Sequence, residues 1–166
     1  SASAPPPPPC LAETVAGPLL IVADALSGAA DCAAAFASAG ARAFVSLAPL
    51  PASMPADRPT VPANGSVIAL DTDSRALPLA EAVRRVRAAI ANRPPGTLVY
   101  KKIDSTLRGH LAAALAAALD AMPEAAGAVL APAFPQQGRT VAGGRCFVNG
   151  EPLETTALWR GAGIAG

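Results

Sequence analysis

The chain repeats one pattern: a short apolar run, a knot of polar residues, then a stretch with helical spacing. The apolar runs stand at residues 18–24, 42–47, 66–70, 97–101 and 127–131. A continuous apolar run of strand length suits a strand covered on both faces, as in a parallel sheet. Strands alternating with helices specify an α/β domain built on a mainly parallel sheet.

The helical stretches have readable limits. After the first strand, residues 29–39 run in alanine to Gly40, which suits a helix end. Ser27 is the expected cap, and Asp31 in the first turns suits the helix dipole. Between residues 78 and 92, Leu79, Val83, Val86 and Ile90 recur on one face, which leaves Arg84, Arg85 and Arg87 as a solvated face. Leu107, Leu111, Leu115 and Leu119, extended by Met122 and ended by Pro123, form a stripe that reads as core packing. Residues 143–150 suggest a hairpin turning at Asn149-Gly150, with a short helix around residues 155–160. Residues 1–17 contain five consecutive prolines and read as a polyproline tail; the proline-rich stretch 48–65 reads as a long loop.

Composition closes several classes. The 166 residues make one domain with a real core, apolar residues being 52% and charged ones 15%. A net charge of +1, with four Phe, one Tyr and one Trp, offers neither the field nor the stacking surface that nucleic acid needs. Cys10, Cys32 and Cys146 are odd in number and lack metal-ligand spacing, which suits a reducing cytoplasm and predicts no metal site. No run is long enough for a membrane helix, and no cationic segment opens a secretory signal. The first residue is not Met, as expected of a processed or trimmed chain. Neither a glycine-rich dinucleotide fingerprint nor a Walker A sequence is present, which argues against a flavodoxin-like nucleotide binder.

Chemistry gathers where strands end. Asp24 closes the first run, Asp71-Thr72-Asp73-Ser74-Arg75 the third, and Lys101-Lys102-Ile103-Asp104-Ser105-Thr106-Leu107-Arg108 the fourth. Taken singly, each has a plain explanation. Lys-Lys-x-Asp can be a surface ion pair, Asp104 or Ser105 can cap the next helix, and Asp24 can end a strand. Parallel crossovers, however, bring these ends to one edge of the sheet, where α/β folds bind ligands. Asp24, Asp73, Arg75, Lys102, Asp104 and Arg108 are expected to converge there. Cations against a carboxylate, and carboxylates against hydroxyls, would suit a small polyhydroxy acid. His110, the only histidine, can either reach that ligand or sit half-exposed in the helix.

Four segments together resemble the four-carbon acid sugar kinases, which include the 3-oxo-tetronate and D-threonate kinases. They are residues 22–31, 70–75, 100–109 and 131–140, and they occur in the family's order. Val148-Asn149-Gly150, followed by Pro152-Leu153, also fits, so the resemblance covers about residues 18–160. It implies a three-layer Rossmann-like domain over residues 18–166 that binds the sugar acid, with an ATP-binding C-terminal domain absent from this chain. ATP and Mg2+ are then expected in the full-length enzyme and no cofactor in this chain, which alone would be inactive. Phosphoryl transfer to a sugar-acid hydroxyl needs Asp24 or Asp104 to orient the attacking group; the sequence does not choose between them. Ser27, Asp31, Asp73, Arg75, Lys102, Ser105, Thr106 and Arg108 are the implied substrate contacts, with Arg75, Lys102 and Arg108 set against the carboxylate or developing charge. Two positions depart from the family pattern: Ala25 replaces a second aspartate, and His110 replaces a usual asparagine. The alternative is a non-catalytic module that binds small hydroxy acids.

Overall fold

β1 (Leu19–Ala23) is buried along its whole length and lies in the middle of the sheet. In this computed structural model, residues 17–47 and 66–161 are described. The expected tail, apart from Gly17, and the loop at 48–65 lie outside the described residues. β2 (Arg42–Ser46), β3 (Ser66–Asp71) and β4 (Leu98–Lys101) complete a four-stranded sheet in the order β2-β3-β1-β4, every pairing parallel.

Period-two alternation sorts the side chains to two faces. Leu19, Ile21, Ala23, Val67 and Ala69 pack against Ala29 and Ala33 of α1 (Leu26–Ser38). Leu20, Val22, Ile68 and Leu70 meet Val86, Ala89 and Ile90 of α2 (Leu79–Ala91) on the other face, together with Ala117 and Ala118 of α3 (Leu111–Asp120). This is a helix–sheet–helix sandwich, the three-layer α/β architecture expected. Burying each of the large residues Leu20, Ile21, Leu70 and Ile90 stabilises it by about 1.5–3 kcal/mol. In α3 the alanines take the sheet face, whereas Leu111, Leu115 and Leu119 are only half-buried. The small side chains let the helix approach closely, so the leucine stripe is displaced to the helix flank.

Two capping expectations are corrected. α1 starts at Leu26, so Ala25 holds the cap position and no side chain caps it; Ser27 is already inside the helix and Asp31 lies beyond its first turn. α3 starts at Leu111 with His110 at its cap, not at Asp104 or Ser105. Leu107 and Gly109 have φ of 58° and 85°, and these left-handed residues turn the chain before the helix can begin. Leu107 therefore lies outside the stripe it was expected to start.

The fifth expected strand, 127–131, is not one. Those residues are exposed throughout, Val129 to 97%, and no described strand pairs with the outer edge of β4. An apolar run without a neighbouring strand has no ladder to join. Beyond it, β5 (Arg139–Ala142), β6 (Arg145–Val148) and β7 (Glu151–Pro152) form a separate antiparallel sheet. Its second turn is at Asn149-Gly150, as expected, with φ of 51° and 86°. A 3-10 turn at Leu153–Thr155 leads into α4 (Ala157–Gly161).

Candidate functional site

The parallel register sets Ala23 beside Asp71 and Val22 beside Lys101, so β1, β3 and β4 end together. The loop after β3 is tied down on Asp24: the Ser74 and Arg75 amides both donate to the Asp24 carbonyl, at 3.0 and 3.1 Å. The Thr72 hydroxyl donates to the Ala23 carbonyl at 2.8 Å and stands 2.7 Å from the Ser74 hydroxyl. Backbone contacts of this kind fix the side chains that follow.

A crevice opens at this edge, on the face covered by α2 and α3. Asp24, Arg75, Lys101, Asp104, Arg108 and His110 supply its polar wall, and residues such as Val86 and Leu107 its apolar wall. Arg75 grips Asp24 with two bonds, Nε to Oδ2 at 3.2 Å and Nη2 to Oδ1 at 2.9 Å. Arg108 grips Asp104 in the same way, at 2.8 Å for each bond. Nη2 of Arg75 also comes within 3.8 Å of Asp104 Oδ1, which links the two pairs into one network.

The two aspartates differ. Asp104 is buried, and its Oδ2 accepts from the Thr106 amide at 3.2 Å, the Thr106 hydroxyl at 2.5 Å and the Arg108 amide at 3.4 Å, besides Arg108 Nε. Burial opposes its charge, yet the Arg108 and Thr106 hydrogen bonds outweigh burial and hold the carboxyl well below the usual carboxylate range. The same bond pushes the Arg108 guanidinium pKa up. Asp24 carries only the two Arg75 bonds among the described residues, leaving acceptor capacity on each oxygen.

Lys101 and Lys102 point to opposite sides of the sheet. Lys102 turns toward α1: a Cβ on Gly28 would stand 3.3 Å from its Cγ, and its ammonium donates to the Ile103 carbonyl at 2.5 Å. Lys101 faces the crevice and donates to the Lys102 carbonyl at 2.8 Å. Burial pulls its pKa down to about 8, against the pull of Asp24 and with repulsion from Lys102 and Arg75.

Of the residues expected from sequence, the structure thus brings Asp24, Arg75, Asp104 and Arg108 together. Lys102 does not line the crevice. Asp73 is exposed, and its amide bonds Asp71 Oδ1 at 2.8 Å; Ser27 and Asp31 are exposed on α1, on the other face of the sheet. Thr106 is buried and spends its hydroxyl on Asp104, while Ser105 is half-buried beside it and outside the crevice wall. Lys101 and Ser74 are lining residues that sequence reasoning missed. Strand alternation puts Lys101 in phase with Val99, which packs on the same face as Val22. His110 holds the Leu77 carbonyl at 2.7 Å from Nε2 and so straps the α3 cap to the approach to α2. Arg84 and Arg85 pair with Glu81, and Arg87 with Asp120, as a solvated face should; Arg85 also donates to the Thr72 carbonyl at 3.0 Å. Among the described residues no cluster of three or more His, Cys, Asp or Glu could hold a metal ion, and no helix is long and apolar enough to cross a membrane.

The fold and crevice define an α/β ligand-binding domain whose charged wall sits at the carboxyl edge of a parallel sheet. The chain belongs to the sugar-binding N-terminal domain family, whose sequence model matches residues 19–164. It is 46% identical over 148 residues to a D-threonate kinase of Cupriavidus necator, covering 89% of this chain and 34% of that protein. A D-erythronate kinase of Heliobacterium modesticaldum is 38% identical over 146 residues, covering 86% of this chain and 32% of its own length. The chain therefore spans about a third of the kinases it matches. Among solved structures, a domain of unknown function from Bordetella bronchiseptica, a domain-swapped dimer with bound citrate, is 39% identical. It superposes with a TM-score of 0.72 over 85% of this chain and 36% of its own.

Proposed function

We propose that this chain is the substrate-binding part of an ATP-dependent kinase that phosphorylates a hydroxyl of a four-carbon sugar acid. The observation that carries the reading is the crevice itself. Two arginine–aspartate pairs from three separate strand ends meet in it, in a domain whose family is sugar-binding. The named activities of the relatives, on threonate and erythronate, fit the same chemistry. The bound citrate of the Bordetella structure is itself a hydroxy acid.

Within this reading Asp24 orients the attacking hydroxyl. Both its oxygens keep lone pairs to accept a hydroxyl proton, whereas Oδ2 of the more deeply buried Asp104 is taken up by Thr106 and Arg108 and only its Oδ1 accepts a single bond. Asp104 instead fixes the 104–108 loop and aims Arg108. Arg75 and Arg108 shield negative charge, as phosphoryl transfer requires more positioning and neutralisation than covalent chemistry. Ser74 and His110 shape the wall. The ATP and Mg2+ such a kinase uses would be held by parts of the protein outside this chain, and the chain alone binds acid without turning it over.

Calorimetry with D-threonate, D-erythronate and 3-oxo-tetronate tests the reading. Saturable binding of one of them is expected; a folded chain that binds none overturns it. Ala25 favours a second reading, a binding module without transfer, because the position that carries a second aspartate in the kinases it resembles here has no carboxylate. ATP consumption by the whole protein with a bound acid separates the two.

A further inference from the structure

We propose that Lys101 is the carboxylate anchor of this crevice and sets its preference for acids over neutral polyols. The inference rests on the sugar-acid reading above and deepens it.

Charge accounting carries the argument. Five charged groups face the crevice. Asp24 and Arg75 close on each other, and so do Asp104 and Arg108, with Arg75 bridging toward Asp104. Two guanidiniums and two carboxylates cancel. Lys101 remains as one half-buried positive charge, and among the described residues no carboxylate ion-pairs with it. One of its three N–H bonds goes to the Lys102 carbonyl; the other two have no described acceptor. Even a half-buried ammonium left without a counter-ion is disfavoured, and an incoming carboxylate relieves that. A four-carbon sugar acid carries one such charge. Its arrival neutralises the crevice without breaking either arginine pair and leaves Asp24 for a hydroxyl. Position supports the assignment: Lys101 ends β4 and pairs in register with Val22, two residues before Asp24, so anchor and acceptor stand at the ends of adjacent strands.

The lowered Lys101 pKa, about 8, makes the anchor visible as a proton. Its charged or titratable neighbours are Asp24 at the end of β1, Arg75 after β3, Lys102 beside it, Asp104 and Arg108 in the next loop, and His110 at the start of α3. A neutral Lys101 takes up a proton when an anion binds, so its uptake is larger near pH 8 than at pH 6. Calorimetry of threonate into the chain, in two buffers of different ionisation enthalpy, reads this uptake directly. Lys101→Gln should weaken threonate at least tenfold and abolish the uptake. Lys101→Arg should retain most of the affinity without uptake, and the neutral tetritol, threitol, should bind all three alike. Circular dichroism checks that each variant is folded; if Lys101→Gln is not, Lys101→Met takes its place. Unchanged threonate affinity in the folded neutral variant overturns the anchor and leaves the sugar-acid reading standing. A wild-type chain that binds no acid overturns that reading and the anchor with it.

Discussion

Arg75 reaches back across 51 positions of sequence to hold both oxygens of Asp24, at 2.9 and 3.2 Å. The pair joins the end of the central strand to the loop after its neighbour. Arg75→Ala leaves a largely covered carboxylate without its partner, at a cost of about 1–3 kcal/mol. Solvent reaching the guanidinium, whose side chain is 26% exposed, keeps the loss at the low end of that range. Urea denaturation should show a lower midpoint at unchanged slope. Arg75→Lys should recover only part of it, because an ammonium cannot bond both oxygens in a fork.

Asp24 and Asp104 should separate kinetically and by pH. On the proposed kinase reading, Asp24→Asn in the whole protein should lower kcat by roughly 100- to 10,000-fold with a smaller change in KM, as loss of a group that accepts the hydroxyl proton does. Asp104→Asn should instead weaken stability and acid binding together. The folded pKa of Asp104 is depressed. Its stabilisation is therefore complete above the unfolded carboxylate value of about 3.9, and is lost as pH falls below that value toward the folded one. Acid unfolding followed by circular dichroism should show this loss in the wild type and a flatter profile in Asp104→Asn.

Two glycines test the crowding of the crevice. Gly109 and Gly143 both have positive φ, 85° and 55°, so alanine at either is strained by about 1–2 kcal/mol. A Cβ at Gly143 meets nothing within 4 Å, whereas at Gly109 it stands 3.2 Å from Asp24 Oδ2 and 3.5 Å from Arg75 Cγ. Gly109→Ala should therefore weaken acid binding several-fold in calorimetry, and Gly143→Ala should leave it unchanged at a similar loss of stability.

Ala25→Asp has a structural effect that is independent of catalysis. Ala25 caps α1 in extended conformation, with φ of −151° and ψ of 151°, and no side chain accepts from the helix amides. An aspartate there can, for a gain of about 0.5–2 kcal/mol. Thermal unfolding should shift upward. If the same change also creates or raises ATP turnover in the whole protein, the missing carboxylate accounts for any lack of transfer; if turnover is already high with Ala25, the binding-module reading fails.

The sheet was legible because apolar runs of strand length have few alternatives, and β1, β3 and β4 all lie within a residue or two of their expected limits. Two things were not legible. Residues 127–131 have strand composition but no strand beside them, and sequence reports composition rather than neighbours. The α3 cap was misplaced because Leu107 and Gly109 adopt left-handed conformations that delay the helix, and nothing about Leu107 announces that. In the crevice, both arginines and both aspartates were readable from their place at strand ends. The choice between Lys101 and Lys102 required the parity of β4, which is fixed only once the pairing to β1 is known.

Because β1 is bonded on both sides and fully covered, its amides should be among the slowest in the molecule to exchange with deuterium, and Asp24 follows directly on that strand. A bound acid, by stabilising the folded domain, slows even these amides. Its footprint falls on residues 104–110, where loop amides still have exchange to lose.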